Sequence, residues 1–124
     1  MSITDDCNLE CIYCFTEHHP HYMKLETAIA AADWVYKNLE YRGIPKEEER
    51  NRDTCCELYF FGGEPLLCYE TVIVPLVEYC KNKYPGLFYF GCTTNGTLLT
   101  KDKIDFFKQN NFCILLSIDG NEYT

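Results

Sequence analysis

Three cysteines near the amino terminus are the residues of this sequence best suited to chemistry. Cys7, Cys11 and Cys14 fall within eight residues, in the pattern CxxxCxxC. A loop that wraps three thiolates around one centre suits an iron–sulfur cluster. Three protein ligands on a 4Fe–4S cluster leave one iron open, and an open metal position is what catalysis or cofactor binding needs. We therefore predict a 4Fe–4S cluster at these three cysteines.

The same loop allows a second interpretation, a zinc site. Structural zinc is bound by four cysteine and histidine ligands, and three histidines follow the third cysteine closely. The zinc ligands would be Cys7, Cys11, Cys14 and His18, with His19 and His21 as spare ligands. On the residues of this loop alone, both metals remain open.

Composition narrows the class of protein. The chain has 124 residues, of which 47% are hydrophobic, and its formal net charge is −8. That is enough apolar material for the core of one domain, and the acidic balance argues against a general nucleic-acid binder. No apolar run approaches the ~20 residues of a membrane span, and the amino terminus lacks the regions of a signal peptide. The nine cysteines therefore favour a reducing cytosol, in which we expect Cys80, Cys92 and Cys113 to pack as small hydrophobic residues.

Strands and helices alternate along the predicted structure. Helix spacing begins at Leu25, a second helical region is expected to have a kink or a fresh start at Pro75, and Thr100 can cap a third helix. Such alternation indicates βα units and a parallel sheet. The predicted strands cover residues 2–4, 57–61, 87–93 and 112–118, and the predicted helices 25–42, 69–84 and 101–110.

Every candidate functional group follows a predicted strand or lies at its carboxyl end. Because right-handed crossovers bring the carboxyl ends of parallel strands to one edge, these groups share the rim where α/β proteins bind ligands. Glycines allow close approach of the backbone to a ligand, a carboxylate can balance an ammonium group, and an aromatic ring can lie against a purine. The candidates beside the cysteines are Tyr13, Gly62, Gly63, Glu64, Asn95, Ser117 and Asp119.

The order of these motifs resembles a known family. CxxxCxxC with an aromatic residue before the last cysteine, then GGEP, TNGTLL and SxDG, is similar to the radical S-adenosylmethionine (SAM) enzymes. More narrowly, it resembles the sulfatase-maturating enzymes and peptide maturases that carry an additional cluster domain, the SPASM type. The resemblance implies a partial TIM-like α/β barrel, with about four of the six βα units of a radical SAM core.

The resemblance also implies roles for individual residues. The three cysteines hold a 4Fe–4S cluster, whose open iron receives the amino and carboxylate groups of SAM. The GGE loop receives the methionine amino group. Tyr13 lies by the adenine, Ser117 and Asp119 contact the cofactor, and Asn95 faces the cavity. No catalytic acid or base is identified within this sequence.

The family reaction is reductive cleavage of SAM to a 5′-deoxyadenosyl radical that abstracts a substrate hydrogen atom. The resemblance implies a cytoplasmic enzyme with a protein or peptide substrate and an electron donor such as flavodoxin or ferredoxin, without nucleic acid or membrane. A non-catalytic SAM- or cluster-binding remnant and a structural zinc module remain as alternatives. We expect residues 1–124 to be a core domain truncated at its carboxyl end, with 121–124 in the loop after the fourth strand.

Overall fold

The computed structural model describes residues 1–120. Within them, four parallel strands form one sheet in the order β1-β2-β3-β4. The strands are β1 (Ser2–Thr4), β2 (Cys56–Gly62), β3 (Phe88–Thr94) and β4 (Cys113–Leu116), and the α-helices are α1 (Leu25–Arg42), α2 (Val74–Lys83) and α3 (Lys101–Gln109). The predicted alternation is confirmed, whereas the loop predicted over 121–124 lies outside the described residues.

At Pro75, where a kink or a fresh helix start is predicted, the backbone stays helical and changes from a π-helical to an α-helical turn. The second helical region begins with a 3₁₀ turn (Pro65–Cys68) and a π-helical turn (Tyr69–Ile73), and α2 follows with Pro75 in its first turn. Proline is favoured in the first turn of an α-helix, because its fixed φ is already helical. α3 begins after Thr100, whose side chain accepts a hydrogen bond from the N–H of Lys103 at 3.4 Å.

Helices α1 and α2 cover the sheet and bury its apolar side chains. Phe60 of β2 and Leu76 of α2 are fully buried in this core. At the surface of the helix pair, the Asp33 carboxylate accepts hydrogen bonds from the hydroxyls of Tyr79 at 2.8 Å and Tyr84 at 2.7 Å. These contacts join α1 to α2 and to the residue that follows it.

The fourth strand differs from its prediction. It covers Cys113–Leu116, which is shorter than the predicted 112–118. β4 pairs only with β3, so among the described residues it is an edge strand. Cys113 is in register with Gly91 and Tyr59, on the face of the sheet opposite the buried Phe60 and Cys92. It is exposed, so the prediction that this thiol is packed is wrong. Leu115 and Ile118 are exposed along the same edge.

The arrangement is that of an unclosed α/β barrel. Four parallel strands alternate with helices, and the described sheet does not close on itself. The predicted partial TIM-like fold is therefore confirmed. Within residues 1–120, no helix has the length and apolar character needed to cross a membrane.

Candidate cofactor and metal site

Backbone hydrogen bonds connect the segments on either side of the cysteine loop, which covers residues 7–20. The N–H of Asp5 donates to the carbonyl oxygen of His21 at 3.1 Å, and the N–H of Met23 donates to that of Ile3 at 2.8 Å. The two ends of the loop are therefore hydrogen-bonded to each other beside β1. Residues 7–20 project from this hydrogen-bonded base at the carboxyl end of the strand, which is where the predicted rim lies.

Asp6 anchors the start of the loop, a role that no motif of the sequence predicts. One carboxylate oxygen accepts a hydrogen bond from the N–H of Cys7 at 3.0 Å, and the other accepts one from the hydroxyl of Tyr22. The carbonyl oxygen of Asp6 accepts a further hydrogen bond, from the N–H of Glu64 at 2.8 Å. Asp6 thus connects the first cysteine to the loop after β2.

Gly62 and Gly63 allow the backbones of the first two loops to touch. A Cβ atom on Gly62 would lie 2.1 Å from the carbonyl oxygen of Thr4, and one on Gly63 would lie 2.1 Å from that of Asp6. The N–H of Gly63 donates to the carbonyl oxygen of Thr4 at 2.9 Å. The close approach predicted for these glycines therefore exists between two segments of the chain, and contact with a ligand stays a prediction.

The Gly63→Ala variant tests this close approach. Its Cβ atom would collide with backbone that cannot move without breaking the loop base, so we expect a loss of about 3 kcal/mol in the free energy of unfolding. Gly86→Ala is the matched control, because Gly86 has a φ of +72° but only a flexible side-chain atom of Arg50 nearby, at 3.3 Å. Backbone strain alone costs the control about 1 kcal/mol. Equal losses in urea denaturation would contradict the proposed role of Gly63.

Glu64 is fully buried between the loops after β2 and β3. One of its carboxylate oxygens accepts hydrogen bonds from the Thr94 hydroxyl at 2.7 Å and the Leu66 N–H at 2.9 Å. The other accepts one from the N–H of Asn95 at 2.8 Å. A buried carboxylate is tolerated only where such donors replace water, so Glu64 holds the two loops together.

Asn95 connects the loop after β3 to the cysteine loop. Its side-chain amide nitrogen lies 3.8 Å from the sulfur of Cys7 and 3.0 Å from the side-chain oxygen of Asn8. Two residues predicted for different roles, Asn95 and Cys7, are thus neighbours in the structure. Asn8 was missed by the sequence analysis, although it directly follows Cys7.

The three cysteines are free and accessible. Cys11 and Cys14 are exposed, Cys7 is half-buried, and the N–H of Cys14 donates to the carbonyl oxygen of Cys11 at 3.0 Å. Within residues 1–120, no three His, Cys, Asp or Glu side chains lie close enough together to hold a metal ion. A cluster would therefore need the loop to draw its second and third cysteines toward Cys7.

The three thiols of the cysteine loop are the kind of ligand that an iron–sulfur cluster needs. Three thiols lie on one irregular loop above a hydrogen-bonded base, and the N–H of Leu9 already donates to the sulfur of Cys7 at 3.5 Å. Thiolate ligands with N–H donors to sulfur are the environment of protein-bound iron–sulfur clusters. By contrast, burial raises the pKa of the Cys80 and Cys92 thiols to about 12, so these side chains stay protonated within the core.

Two more candidate site residues, Tyr13 and Asp119, contact each other at the same edge of the sheet. The hydroxyl of Tyr13 donates a hydrogen bond to the carboxylate of Asp119, which raises the pKa of Tyr13. This contact brings the cysteine loop against the segment after β4. The side chain of Ser117 is exposed, and its backbone N–H donates to the carbonyl oxygen of Thr94 at 2.9 Å.

All four loops therefore meet at one edge of the sheet, as the positions of the motifs predicted. In α/β barrels, this edge is where ligands bind. The chain matches the family described as the Radical SAM superfamily over residues 1–123. The chain belongs to the radical SAM superfamily.

The chain is also similar to individual proteins. An uncharacterized protein of Methanocaldococcus jannaschii is 30% identical over 124 residues, which are 98% of this chain and 38% of that protein. The cysteine-type anaerobic sulfatase-maturating enzyme of Clostridium novyi is 29% identical over 122 residues, which are 96% of this chain and 31% of the enzyme. The predicted likeness to sulfatase-maturating enzymes is confirmed. The chain spans about a third of the length of these relatives.

A solved structure shows the same fold with a ligand. It is described as native anSMEcpe with bound AdoMet, which is SAM, and Cp18Cys peptide. It is 28% identical to this chain with a TM-score of 0.69, and the match covers 97% of this chain and 30% of that one.

Proposed function

We propose that residues 1–124 belong to a radical SAM core domain, in which Cys7, Cys11 and Cys14 hold a 4Fe–4S cluster and the rim binds SAM. The observation that carries this proposal is the contact between Asn95 and Cys7, which joins the accessible cysteine loop to the strand-end loops. Bound together, cluster and SAM supply reductive cleavage of the sulfonium and abstraction of a hydrogen atom from the substrate. The protein orients these groups and limits the access of water.

Different residues of the chain would bind different parts of SAM. The backbone at Gly62 and Gly63 would receive the amino group of SAM, and Tyr13 would lie by the adenine. Ser117 and Asp119 would offer hydrogen bonds to the ribose hydroxyls. Glu64 is fully buried behind the rim. Its negative charge would favour an ammonium group nearby, since opposite charges attract strongly away from bulk water.

The proposed substrate is a protein or peptide side chain. This follows from the similarity to sulfatase-maturating enzymes and to a structure with a bound peptide. An electron donor such as flavodoxin or ferredoxin would supply the reducing electron. The accessible thiols suit a reducing compartment such as the cytoplasm.

One contact favours a second candidate, the zinc module. The sulfur of Cys14 lies 3.5 Å from the Nε2 atom of His18, so two of the four predicted zinc ligands are already neighbours. Both atoms could bind one zinc ion, whose ligand distances are about 2.0–2.3 Å. The two candidates differ in the metal that the chain retains after anaerobic purification.

Electron paramagnetic resonance tests the proposed function. The chain is reconstituted anaerobically with iron and sulfide, reduced with dithionite, and measured before and after addition of SAM. We expect SAM to change the spectrum of the reduced cluster, because its amino and carboxylate groups reach the open iron. ATP, which shares the adenosine part but lacks these groups, is the control and should leave the spectrum unchanged.

Product analysis on the same sample separates an enzyme from a binding remnant. Release of 5′-deoxyadenosine indicates an enzyme, whereas a spectral change without release indicates binding alone. A reconstituted cluster whose spectrum does not change when SAM is added would contradict the proposed function.

A further inference from the structure

The amide of Asn95 contacts the sulfur of Cys7, and the proposed function gives this contact no chemical role. We infer that Asn95 is a positioning residue that orients Cys7 and raises the reduction potential of the cluster held there. This inference rests on the proposed function, since it concerns the cluster that Cys7, Cys11 and Cys14 would hold. It assigns Asn95 to the cluster rather than to direct contact with SAM.

Three side chains form a closed ring of hydrogen bonds beside Cys7. The amide nitrogen of Asn95 donates to the side-chain oxygen of Asn8 at 3.0 Å. The amide nitrogen of Asn8 donates to the hydroxyl of Thr97 at 2.7 Å, and that hydroxyl donates to the side-chain oxygen of Asn95 at 2.6 Å. Every donor in the ring meets an acceptor, so the three side chains hold one another in place.

The ring fixes which end of the Asn95 amide faces the sulfur. The backbone N–H of Thr97 lies 3.0 Å from the Asn95 side-chain oxygen. A backbone N–H can only donate, so the atom facing it must be the oxygen and the opposite atom must be the nitrogen. That nitrogen has two hydrogens. One points to Asn8, and the second is directed at the sulfur of Cys7, 3.8 Å away.

The backbone of Asn95 is held as firmly as its side chain. Its N–H donates to the buried carboxylate of Glu64 at 2.8 Å. The N–H of the next residue, Gly96, donates to the Thr94 hydroxyl at 3.1 Å, and this hydroxyl donates to the same carboxylate at 2.7 Å. The amide that faces Cys7 is therefore attached to the interior of the sheet and not to a free loop.

A donor at a ligand sulfur affects the redox equilibrium of a cluster. One-electron reduction adds negative charge, which spreads onto the ligand sulfurs, and an N–H donor stabilises this charge. Removing the donor should make the potential more negative without removing a ligand. A residue that only maintained the fold would leave the potential unchanged in the molecules that retain a cluster.

Redox titration of the reconstituted chain tests this inference. Asn95→Asp keeps the shape of the side chain, replaces the donor with an acceptor and adds a negative charge. We expect the ratio of reduced to oxidised cluster at a fixed potential to fall at least tenfold, a shift of about 59 mV for one electron. Asn95→Ala removes the donor without adding charge and should shift the potential in the same direction by less. Asn95→Gln, which retains an amide, should restore part of the wild-type value.

Thr97→Val opens the ring but leaves the Thr97 N–H on the Asn95 side-chain oxygen, so it should shift the potential by less than Asn95→Ala. Asn82→Ala, which removes an exposed asparagine of α2, is the control and should keep the wild-type potential. Iron content shows whether each variant holds a cluster, and circular dichroism shows whether it is folded. If Asn95→Asp does not fold, the potential of Asn95→Ala is the test. Unchanged potentials in iron-containing Asn95 variants overturn this inference and leave the proposed function intact. A wild-type chain that takes up no iron overturns both.

Discussion

Replacing Cys11 by alanine is expected to reduce the iron bound after anaerobic reconstitution to nearly zero. Three thiolates from one short loop are the whole protein ligand set of the proposed cluster, so the loss of one leaves two irons of the cube without protein ligands. Cys11 is exposed, so its substitution should not disturb the core. Iron and acid-labile sulfide per chain, together with absorbance near 400 nm, give the readout.

Cys113→Ala is the control for iron bound at exposed thiols in general. Cys113 is also exposed, but it lies on β4 and outside the cysteine loop. It should retain the iron content of the wild type. If Cys11→Ala keeps as much iron as Cys113→Ala, the cysteine loop is not the cluster site.

The Glu64→Ala variant is expected to lose about 4 kcal/mol in the free energy of unfolding. Its removal leaves three donors without acceptors, the Thr94 hydroxyl and the N–H groups of Leu66 and Asn95. Each unsatisfied buried donor costs about 1–3 kcal/mol, and the vacated volume adds to the loss. Chemical denaturation followed by circular dichroism measures the change.

Two further variants make this test specific. Glu64→Gln keeps the size of the side chain, but its amide nitrogen would face the N–H of Asn95, so a smaller loss of about 1–3 kcal/mol is expected. Glu78→Ala removes an exposed glutamate from α2 and should change stability by less than about 0.5 kcal/mol. Wild-type stability of Glu64→Gln would contradict the hydrogen-bond arrangement around this carboxylate.

The sequence predicted the elements well because their signals are local. Apolar residues at helix spacing, Pro75 and the Thr100 cap define the helices without knowledge of the rest of the fold. The edge position of β4 is different. It depends on which strands are neighbours, whereas the exposure of Cys113 depends on which face of the sheet the rest of the fold covers. Neither could be predicted from a strand that is apolar along its length.

The sequence predicted which loops form the site, but it did not predict the contacts between them. Strand ends place Glu64 and Asn95 at one edge, which the alternation of elements suffices to predict. That Glu64 is buried and accepts a hydrogen bond from the N–H of Asn95 depends on side-chain packing between two loops. The ring through Asn8 and Thr97 joins residues 89 positions apart in the chain. The asparagine–glycine turn and the residue after Cys7 were the only local hints of that ring.

Metal and sulfide analysis of the wild-type chain, purified without oxygen, tests the central claim most directly. The proposed cluster predicts about four iron and four sulfide per chain, with little zinc. Zinc near one per chain, with no iron or sulfide before or after reconstitution, would contradict it. That result would assign the cysteine loop, together with His18, to a structural zinc site.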